Sequence, residues 1–259
     1  MNRTNASFCF DDSVVLVTGS SSGIGERTAR DFAFDGAKVA LCSRTHSDVE
    51  EVEEAIEKDG GNAVSYGCDV RNREDVRGMI EDVADEWGTV DVLVNNAGVG
   101  FVCGFQDLSE NAWDSVVDIN LKGCFNCTQA AGKYLQEGRG SVVNISSVAG
   151  VYNSPYMSHY GASKAAMVNL TESLAVEWAE TGVRVNCVAP GYVATEALEK
   201  QMGVEADEIE RESADRRVGT PDEVSDIVRF LASDGASFVN GETLVARGKP
   251  TTPARPGEQ

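Results

Sequence analysis

The sequence predicts a doubly wound α/β fold: a mostly parallel sheet of about seven strands with helices on both faces. Short apolar runs of β-forming residues recur along the chain, and helix-like segments separate them. The first run leads directly into a glycine-rich turn and then a helix. Repeated strand–helix alternation favours a parallel sheet, and right-handed crossovers place helices on both of its faces.

Seven segments have the short, nearly continuous apolar character of strands that are buried on both faces. The first spans residues 14–17 and ends at Thr18-Gly19. The others are 38–42, 63–66, 90–94, 140–145, 183–188 and 243–246.

Helical segments are predicted between the strands. Asn72 and Thr220 are suitable N-caps, and Pro221 suits a first helical position. The predicted helices cover 24–34, 48–58, 72–87, a segment that opens at 109, 121–135, 158–180 and 221–232.

No stretch rich in Pro, Gly or Ser divides the chain, and no repeat is present. We therefore expect one domain over residues 12–248, a lead-in over 1–11 and a poorly ordered, proline-containing tail over 249–259.

Charge restricts the partners. The formal net charge is −20 and the pI is near 4.4, so the surface repels nucleic acid and anionic membranes, and we expect neither as a partner. The 15 Arg outnumber the 7 Lys; adaptation to high salt is one hypothesis, and an ordinary acidic enzyme is the alternative. No long apolar run and no signal-peptide pattern occur, so we expect a cytoplasmic location.

The seven cysteines form no framework typical of a secreted protein. Cys124 and Cys127 form a C-x-x-C pair, but no second pair accompanies it. We interpret both as small packing residues of a helix and expect no metal site.

The turn after the first strand reads Thr18-Gly19-Ser20-Ser21-Ser22-Gly23-Ile24-Gly25. Glycines there let backbone amides approach a pyrophosphate, which the helix N-terminus also attracts. A glycine turn alone is weak evidence, and its position after a buried strand strengthens it.

Five motifs in order resemble the short-chain dehydrogenase/reductase family, whose fold is a Rossmann-type sheet. They are the glycine turn, Asn95-Asn96-Ala97-Gly98, the serine segment Asn144-Ile145-Ser146-Ser147, Tyr160-x-x-x-Lys164 and Pro190-Gly191. The resemblance spans about residues 12–245. It implies a dinucleotide-binding catalytic domain that acts on a small carbonyl or alcohol substrate.

The resemblance also assigns cofactor contacts. Asp69 would accept a hydrogen bond from the adenine amino group, beside Val70. Asn96 and Gly98 would line the cofactor and support the strand end. The backbone near Val193, with Thr195, would hold the nicotinamide carboxamide.

The end of the second strand favours NADP(H) over NAD. An acidic residue there usually binds the ribose hydroxyl of NAD, but this chain has Ser43 followed by Arg44. A guanidinium can bind a 2′-phosphate with two charge-assisted bonds. Ser22, a position that is often basic in NADP-dependent relatives, departs from that pattern.

The resemblance implies four catalytic residues. Lys164 lies one helical turn after Tyr160, so its ammonium is expected to lower the pKa of the phenol, the general acid/base. Ser147, rather than Ser146, would bind the substrate oxygen, and Asn120 would anchor a proton relay. On spacing alone, Tyr160 and Lys164 could be a surface pair. His159 is expected to be a pocket or interface residue.

The motifs do not identify the substrate, because the family builds its substrate pocket from variable loops, here 99–106, 149–159 and 192–218. A 3-oxoacyl thioester is the expected substrate class. Sugar or polyol oxidation, such as that of glucose, is the main alternative, and a non-catalytic NADP-binding regulator is a remote one. Relatives usually form homotetramers, but the usual V-D-G-G ending is replaced by residues 245–248, Val-Ala-Arg-Gly.

Overall fold

The computed structural model describes residues 8–196, 198 and 218–248. Seven parallel strands form one sheet in the order β3-β2-β1-β4-β5-β6-β9. They are β1 (Val14–Thr18), β2 (Lys38–Ser43), β3 (Asn62–Gly67), β4 (Val92–Asn95), β5 (Ser141–Ile145), β6 (Arg184–Pro190) and β9 (Thr243–Ala246). The predicted fold class is confirmed, because the strand order reverses between β1 and β4 as a doubly wound sheet requires.

Helices cover both faces of this sheet. They are α1 (Gly23–Phe34), α2 (His46–Lys58), α3 (Arg73–Trp87), α4 (Glu110–Val117), α5 (Gly123–Gly138), α6 (Val148–Val151), α7 (Ser158–Glu177) and α8 (Pro221–Ala232). The Asn72 side chain caps α3 by accepting from the amide of Glu74 at 3.0 Å. Thr220 and Glu223 form a capping box at α8.

The core consists of two hydrophobic clusters, one on each face of the sheet, because successive side chains of a strand point to opposite faces. Val15 and Val17 join a cluster with α1, α2 and α8 on one face. Val14 and Leu16 join a second cluster with α3, α5 and α7. Burial on both faces explains why the central strands β1, β4 and β5 are apolar at most positions.

Three features go beyond the predicted elements. A two-stranded parallel ribbon pairs β7 (Tyr192–Val193) with β8 (Val218–Gly219). The short helix α6 follows β5, and a π-helical turn, Asp118–Lys122, joins α4 to α5. These segments are too short for hydrophobic periodicity to reveal. The predicted tail and the central part of the third variable loop lie outside the described residues. No helix in the described ranges has the length and apolar composition that a membrane span needs.

Candidate active site

A groove of about 900 Å³ runs along the carboxyl ends of β1, β4, β5 and β6. Most of the residues predicted to bind a cofactor or to act in catalysis line it: Gly19, Ser21, Ser22, Gly23, Ile24, Ser43, Arg44, Asp69, Val70, Asn96, Ala97, Gly98, Ser147, Tyr160, Lys164, Pro190, Gly191, Val193 and Thr195. Thr18, Gly25 and Asn120 are not among the lining residues and are buried in the protein. Ligands of doubly wound folds bind at this edge, where the strand order reverses.

The glycine turn is packed too closely for side chains. Gly19 has a φ of +64°, a conformation that glycine adopts without strain. A Cβ atom at Gly25 would lie 2.2 Å from the carbonyl oxygen of Gly19 and 2.4 Å from Nδ2 of Asn96. The turn therefore exposes backbone to the groove at the N-terminus of α1, where amide groups favour an anion such as a pyrophosphate.

Asn96 clamps this turn to the end of β4. Its Nδ2 donates to the carbonyl oxygens of Thr18 and Gly19 at 3.0 and 2.9 Å. The Thr18 hydroxyl donates to the carbonyl of Val94 and accepts from the amides of Asn96 and Ala97. Asn96 therefore supports the strand end, as the resemblance implied, by fixing the turn that precedes α1.

Three charged side chains lie at the end of the groove beside β2 and β3. Arg71 donates to both carboxylate oxygens of Asp69, from Nη2 at 2.5 Å and from Nε at 3.0 Å. These hydrogen bonds hold the pKa of Asp69 below its usual value, and the charge of Arg44 lowers it further. The carboxylate assigned to the adenine amino group is thus already bound by Arg71, whereas Arg44 has no hydrogen-bond or ion-pair partner among the described residues.

Lys164 is buried, and its ammonium donates a hydrogen bond to a backbone carbonyl of the protein. Only 3% of the residue is exposed, and Nζ donates to the carbonyl oxygen of Ile145 at 2.7 Å. Burial lowers the pKa of Lys164 to about 8, because removing a charge from water is costly. Nζ lies 5.8 Å from the centre of the Tyr160 ring, so the two predicted partners stand together at the end of β5.

Tyr160 differs from the expectation in its pKa. Burial raises the pKa of the phenol, and a hydrogen bond with Ser147 only partly offsets that rise. The expected lowering by Lys164 was wrong for this structure, because desolvation of the phenolate is the larger effect. Ser147 is the N-cap of α6, where its Oγ accepts from the amide of Ala149 at 3.2 Å. This hydrogen bond uses an oxygen lone pair of Ser147, so the hydroxyl proton can be donated to a further acceptor.

The choice between the two serines has a geometric basis. The Ser146 hydroxyl donates to the backbone carbonyl oxygen of Lys164 at 2.8 Å and is buried. It ties β5 to α7, whereas Ser147 reaches Tyr160.

Asn120 lies in the π-helical turn, completely buried. Its side chain accepts from the amide of Val99 at 2.8 Å and donates to the Val99 carbonyl and the Ser163 hydroxyl, both at 3.0 Å. A Cβ atom at Gly98 would lie 3.2 Å from Nζ of Lys164 and 3.3 Å from Oδ1 of Asn120. Asn120 thus fixes the loop after β4 against α7, directly beside Lys164.

The opposite wall of the groove is formed by the segment after β6. A Cβ atom at Gly23 would lie 3.1 Å from Cγ2 of Thr195, so Thr195 faces the glycine turn. Val193 belongs to β7, and the next residue, Ala194, donates its amide to the Gly219 carbonyl at 2.9 Å. The ribbon β7–β8 therefore holds the segment that was predicted to bind the nicotinamide.

The remaining part of the groove is lined by exposed, largely apolar residues. The amide of Cys103 donates to the carbonyl of Tyr156 at 2.7 Å and joins two of the variable loops. Tyr156 has a φ of +62° and is 68% exposed. A non-glycine residue in this conformation is strained, and such residues cluster at ligand sites. Lining side chains from these loops and the segment after β6 are Val99, Val102, Pro155, Tyr156, Met157 and Tyr192.

His159 and the C-x-x-C cysteines do not line the groove. The His159 ring packs against Phe101, with centroids 4.4 Å apart, and does not line the groove. Cys124 and Cys127 are buried in α5, and burial raises the pKa of the Cys124 thiol to about 12. Among the described residues, no group of His, Cys, Asp and Glu could hold a metal ion.

Two groove-supporting residues were not anticipated. The Ser20 hydroxyl accepts from the amide of Cys42 at 2.8 Å and ties the glycine turn to β2. Arg71 binds Asp69. The position of this arginine two residues after the carboxylate was the feature of the sequence that could have predicted the ion pair.

The comparisons with known proteins agree with this geometry. Residues 19–248 match the family model described as "Enoyl-(Acyl carrier protein) reductase". The chain is 38% identical over 237 residues to the 3-oxoacyl-[acyl-carrier-protein] reductase FabG of Thermotoga maritima, in a match that covers 89% of this chain and 94% of the relative. The chain belongs to the short-chain dehydrogenase/reductase family.

Solved structures of this family resemble the protein closely. A short-chain type dehydrogenase/reductase from Mycobacterium marinum superimposes with a TM-score of 0.87 at 34% identity, covering 95% of this chain and 98% of that one. An NAD+-bound xylitol dehydrogenase superimposes with a TM-score of 0.86 at 31% identity, and the match covers 93% of this chain and 99% of that one. The protein is accordingly an oxidoreductase acting on a CH–OH or C=O group.

Proposed function

We propose that the protein is an NADP(H)-dependent reductase that interconverts a ketone and a secondary alcohol, with Tyr160 as general acid/base. The observation that carries this proposal is the meeting of Tyr160, Ser147 and Lys164 on one wall of the groove. Proton exchange at an oxygen needs a positioned acid and a second donor for developing charge, and these side chains supply both.

The groove fits a dinucleotide. The glycine turn leaves room where side chains would fill it, and its backbone adjoins a helix N-terminus. Ser21, Ser22 and Ile24 would lie against the phosphates, Val70 beside the adenine, and the 193–195 segment beside the nicotinamide. When bound, the cofactor would supply or accept a hydride at the substrate carbon.

The protein's own groups would handle the oxygen. Ser147, held by the amide of Ala149, would donate its hydroxyl proton to the substrate carbonyl oxygen. Tyr160 would donate its phenolic proton to the same oxygen as negative charge develops there. Lys164 would stabilise the resulting phenolate, and the buried Asn120 would hold the wall behind it.

Replacing Tyr160 tests this mechanism. Tyr160→Phe retains the ring but removes the proton, so we expect kcat to fall by at least about 100-fold while the Kd for NADPH stays within about twofold. Activity is measured by NADPH oxidation, and binding by fluorescence titration. Tyr134→Phe, on α5 and outside the groove, is the control. Substantial turnover by Tyr160→Phe would contradict the acid/base assignment.

NADP(H) is preferred over NAD because Arg44 offers a guanidinium and Ser43 offers no competing carboxylate. Arg44→Asp should raise KM for NADPH about tenfold or more, because charge-assisted bonds contribute about 1.5–3 kcal/mol. KM for NADH should change little or fall. Arg77→Asp, an exposed site on α3, controls for the change in net charge. An unchanged KM for NADPH would contradict the preference.

The substrate class we favour is a 3-oxoacyl thioester, supported by the apolar variable loops and the similarity to the Thermotoga maritima reductase. The second candidate is polyol oxidation, favoured by the similarity to xylitol dehydrogenase. NADPH oxidation with acetoacetyl thioesters, against NADP+ reduction with xylitol or glucose, separates the two.

We further propose that residues 12–248 form the catalytic domain of a cytoplasmic homotetramer adapted to high salt. The net charge of −20 supports the last point. Sedimentation equilibrium tests the assembly, and unfolding from low to molar KCl tests the adaptation. Indifference of the unfolding midpoint to KCl would contradict the salt hypothesis.

A further inference from the structure

Arg247 occupies one of the two positions, with Ala246, at which the chain departs from the usual V-D-G-G ending. It directly follows β9, one of the two edge strands of the sheet, which pairs with β6. The amide of Gly191, a groove-lining residue, donates to the carbonyl of Ala246 at 2.7 Å. A Cβ atom at Gly191 would lie 3.1 Å from Cβ of Arg247. Arg247 therefore stands immediately behind the wall of the groove.

The side chain of Arg247 reaches the substrate loop. Its guanidinium carbon lies 4.6 Å from the ring centre of Tyr152, the residue that ends α6. Helix α6 begins directly after Ser147, and the lining residues of the second variable loop follow Tyr152. Arg247 thus adjoins Gly191 through its backbone and Cβ atom, and Tyr152 through its guanidinium. A guanidinium has the fork geometry that matches a carboxylate or a phosphate.

The guanidinium of Arg247 forms no ion pair within the described part of the protein. There its guanidinium contacts the ring of Tyr152, and no carboxylate pairs with it. Other arginines of this acidic chain do pair: Arg229 binds aspartates, and Arg71 binds Asp69. An arginine that is only partly exposed, that has no anionic partner among the described residues and that stands beside a ligand groove is suited to bind an anion from a ligand.

We propose that Arg247 selects substrates that carry an anionic group, a carboxylate or a phosphate, which it binds while the ketone lies at Tyr160. This inference rests on the proposed ketone reduction. Two sources could supply the charge: a carboxylate on the keto acid itself, or the phosphate of a pantetheine arm on a thioester. Tyr152 would hold the guanidinium in place by cation–π contact, and its 51% exposure leaves room for the anion.

Matched substrate pairs test the inference. One pair is acetoacetate and methyl acetoacetate; the other is acetoacetyl-pantetheine 4′-phosphate and acetoacetyl-pantetheine. In the wild type, we expect the charged member of one pair to have the lower KM. Arg247→Gln should raise that KM about tenfold, the effect of a lost charge-assisted bond, and leave the neutral member within about twofold. Arg247→Lys should restore part of the preference. The pair that responds identifies the source of the charge.

Arg139→Gln is the matched control. Arg139 also lacks a hydrogen-bond or ion-pair partner for its side chain among the described residues, but it lies just before the amino end of β5, whereas the groove runs along the carboxyl ends of the strands. Its replacement should alter no substrate preference. If Arg247→Gln raises KM equally for charged and neutral members, the arginine only latches β9 to the substrate loop, and the inference is overturned. No change in any KM overturns it as well.

Binding measurements distinguish a failure of this inference from a failure of the proposed function. Calorimetry with pantetheine 4′-phosphate and pantetheine, and with acetoacetate and its methyl ester in Tyr160→Phe, needs no turnover. Loss of the charged ligand's advantage in Arg247→Gln supports the inference even if the wild type reduces none of the ketones. Reduction of the neutral ketones with no charge preference in either assay supports the proposed function and overturns the role of Arg247.

Discussion

The two halves of the groove are built in different ways. The cofactor half is fixed by backbone and buried polar groups: Asn96 binds the glycine turn through two carbonyls, and Ser20 ties the same turn to β2. The substrate half is formed by exposed side chains on loops, joined by a backbone hydrogen bond from Cys103 to Tyr156. The first half has little freedom to change its ligand, whereas the second can change its specificity without disturbing the fold.

The two halves also differ in how they carry charge. In the cofactor half, Asp69 and Arg71 pair with each other, and Arg44 has no hydrogen-bond or ion-pair partner among the described residues. At the junction of the halves, Lys164 is kept as a buried ammonium at a cost in stability. In the substrate half, Arg247 is unpaired among the described residues, and His159 is buried without a hydrogen-bond partner among them. The proposed function thus relies on charged groups whose burial or lack of a partner the fold alone does not favour.

The largest effect is expected at the tightest point of the cofactor half. Gly25→Ala would place a methyl group 2.2 Å from the Gly19 carbonyl oxygen. We expect a loss of about 3 kcal/mol in the free energy of unfolding, or a backbone shift that abolishes cofactor binding. The corresponding fall in Tm is roughly 6–12 °C, measured by calorimetry beside an NADPH titration.

Gly78→Ala is the control for that prediction. Gly78 lies in α3, and a Cβ atom at this position would have nothing within 4 Å, so alanine should stabilise the helix by about 0.5–1 kcal/mol. If Gly25→Ala unfolds at the wild-type temperature and binds NADPH normally, the cofactor half is more adaptable than its packing indicates.

The difference between the two halves explains which features of the fold and the groove can be predicted from the sequence. The seven strands and the glycine turn were predictable, because burial on both faces and a close backbone approach leave a direct pattern in residues 14–25. Five motifs in order predicted that Tyr160, Lys164 and Ser147 share one site, and all three line the groove; their catalytic roles stay predictions. The raised pKa of Tyr160 could not be predicted, because it depends on burial by distant segments. The contacts of Arg71 and Arg247 depend on side-chain conformations that spacing does not specify.

A second, smaller effect is expected at the junction of the halves. Lys164 has a pKa of about 8 in the folded protein and an ordinary value of 10.5. Below pH 8 the buried ammonium lowers stability. Between pH 8 and 10.5 the native state loses this proton while the unfolded chain keeps it, so stability rises with pH.

Lys164→Met should therefore be inactive yet more stable than the wild type at pH 7, by about 1–2 kcal/mol after the lost hydrogen bond to Ile145 is counted. The difference should shrink as the pH rises from 8 to 10.5, measured by urea unfolding at fixed ionic strength. Lys122→Met, at an exposed site, should show no such trend. A stability difference that is constant with pH would contradict the charged state assigned to Lys164.

The smallest effect is expected at His159, in the wall behind the substrate half. Burial lowers its pKa, and neither ring nitrogen has a hydrogen-bond partner among the described residues. Below about pH 6.5, the unfolded chain binds a proton that the native state does not, so stability is lost as the pH falls. His159→Leu should remove part of this acid sensitivity: the urea midpoint of the variant should fall less than that of the wild type between about pH 7.5 and 5.0.

His46→Leu provides the matched control, because His46 and His159 are the two histidines of the chain. His46 is half exposed on α2, and its Nδ1 lies 3.5 Å from Oε1 of Glu50. Replacing His46 should therefore leave the acid sensitivity attributed to His159 in place. Equal pH dependence in the wild type and His159→Leu would mean that His159 takes up its proton in the folded state. The wall behind the substrate half would then be open enough to hydrate an imidazolium, and the contrast with the closely packed cofactor half would be sharper.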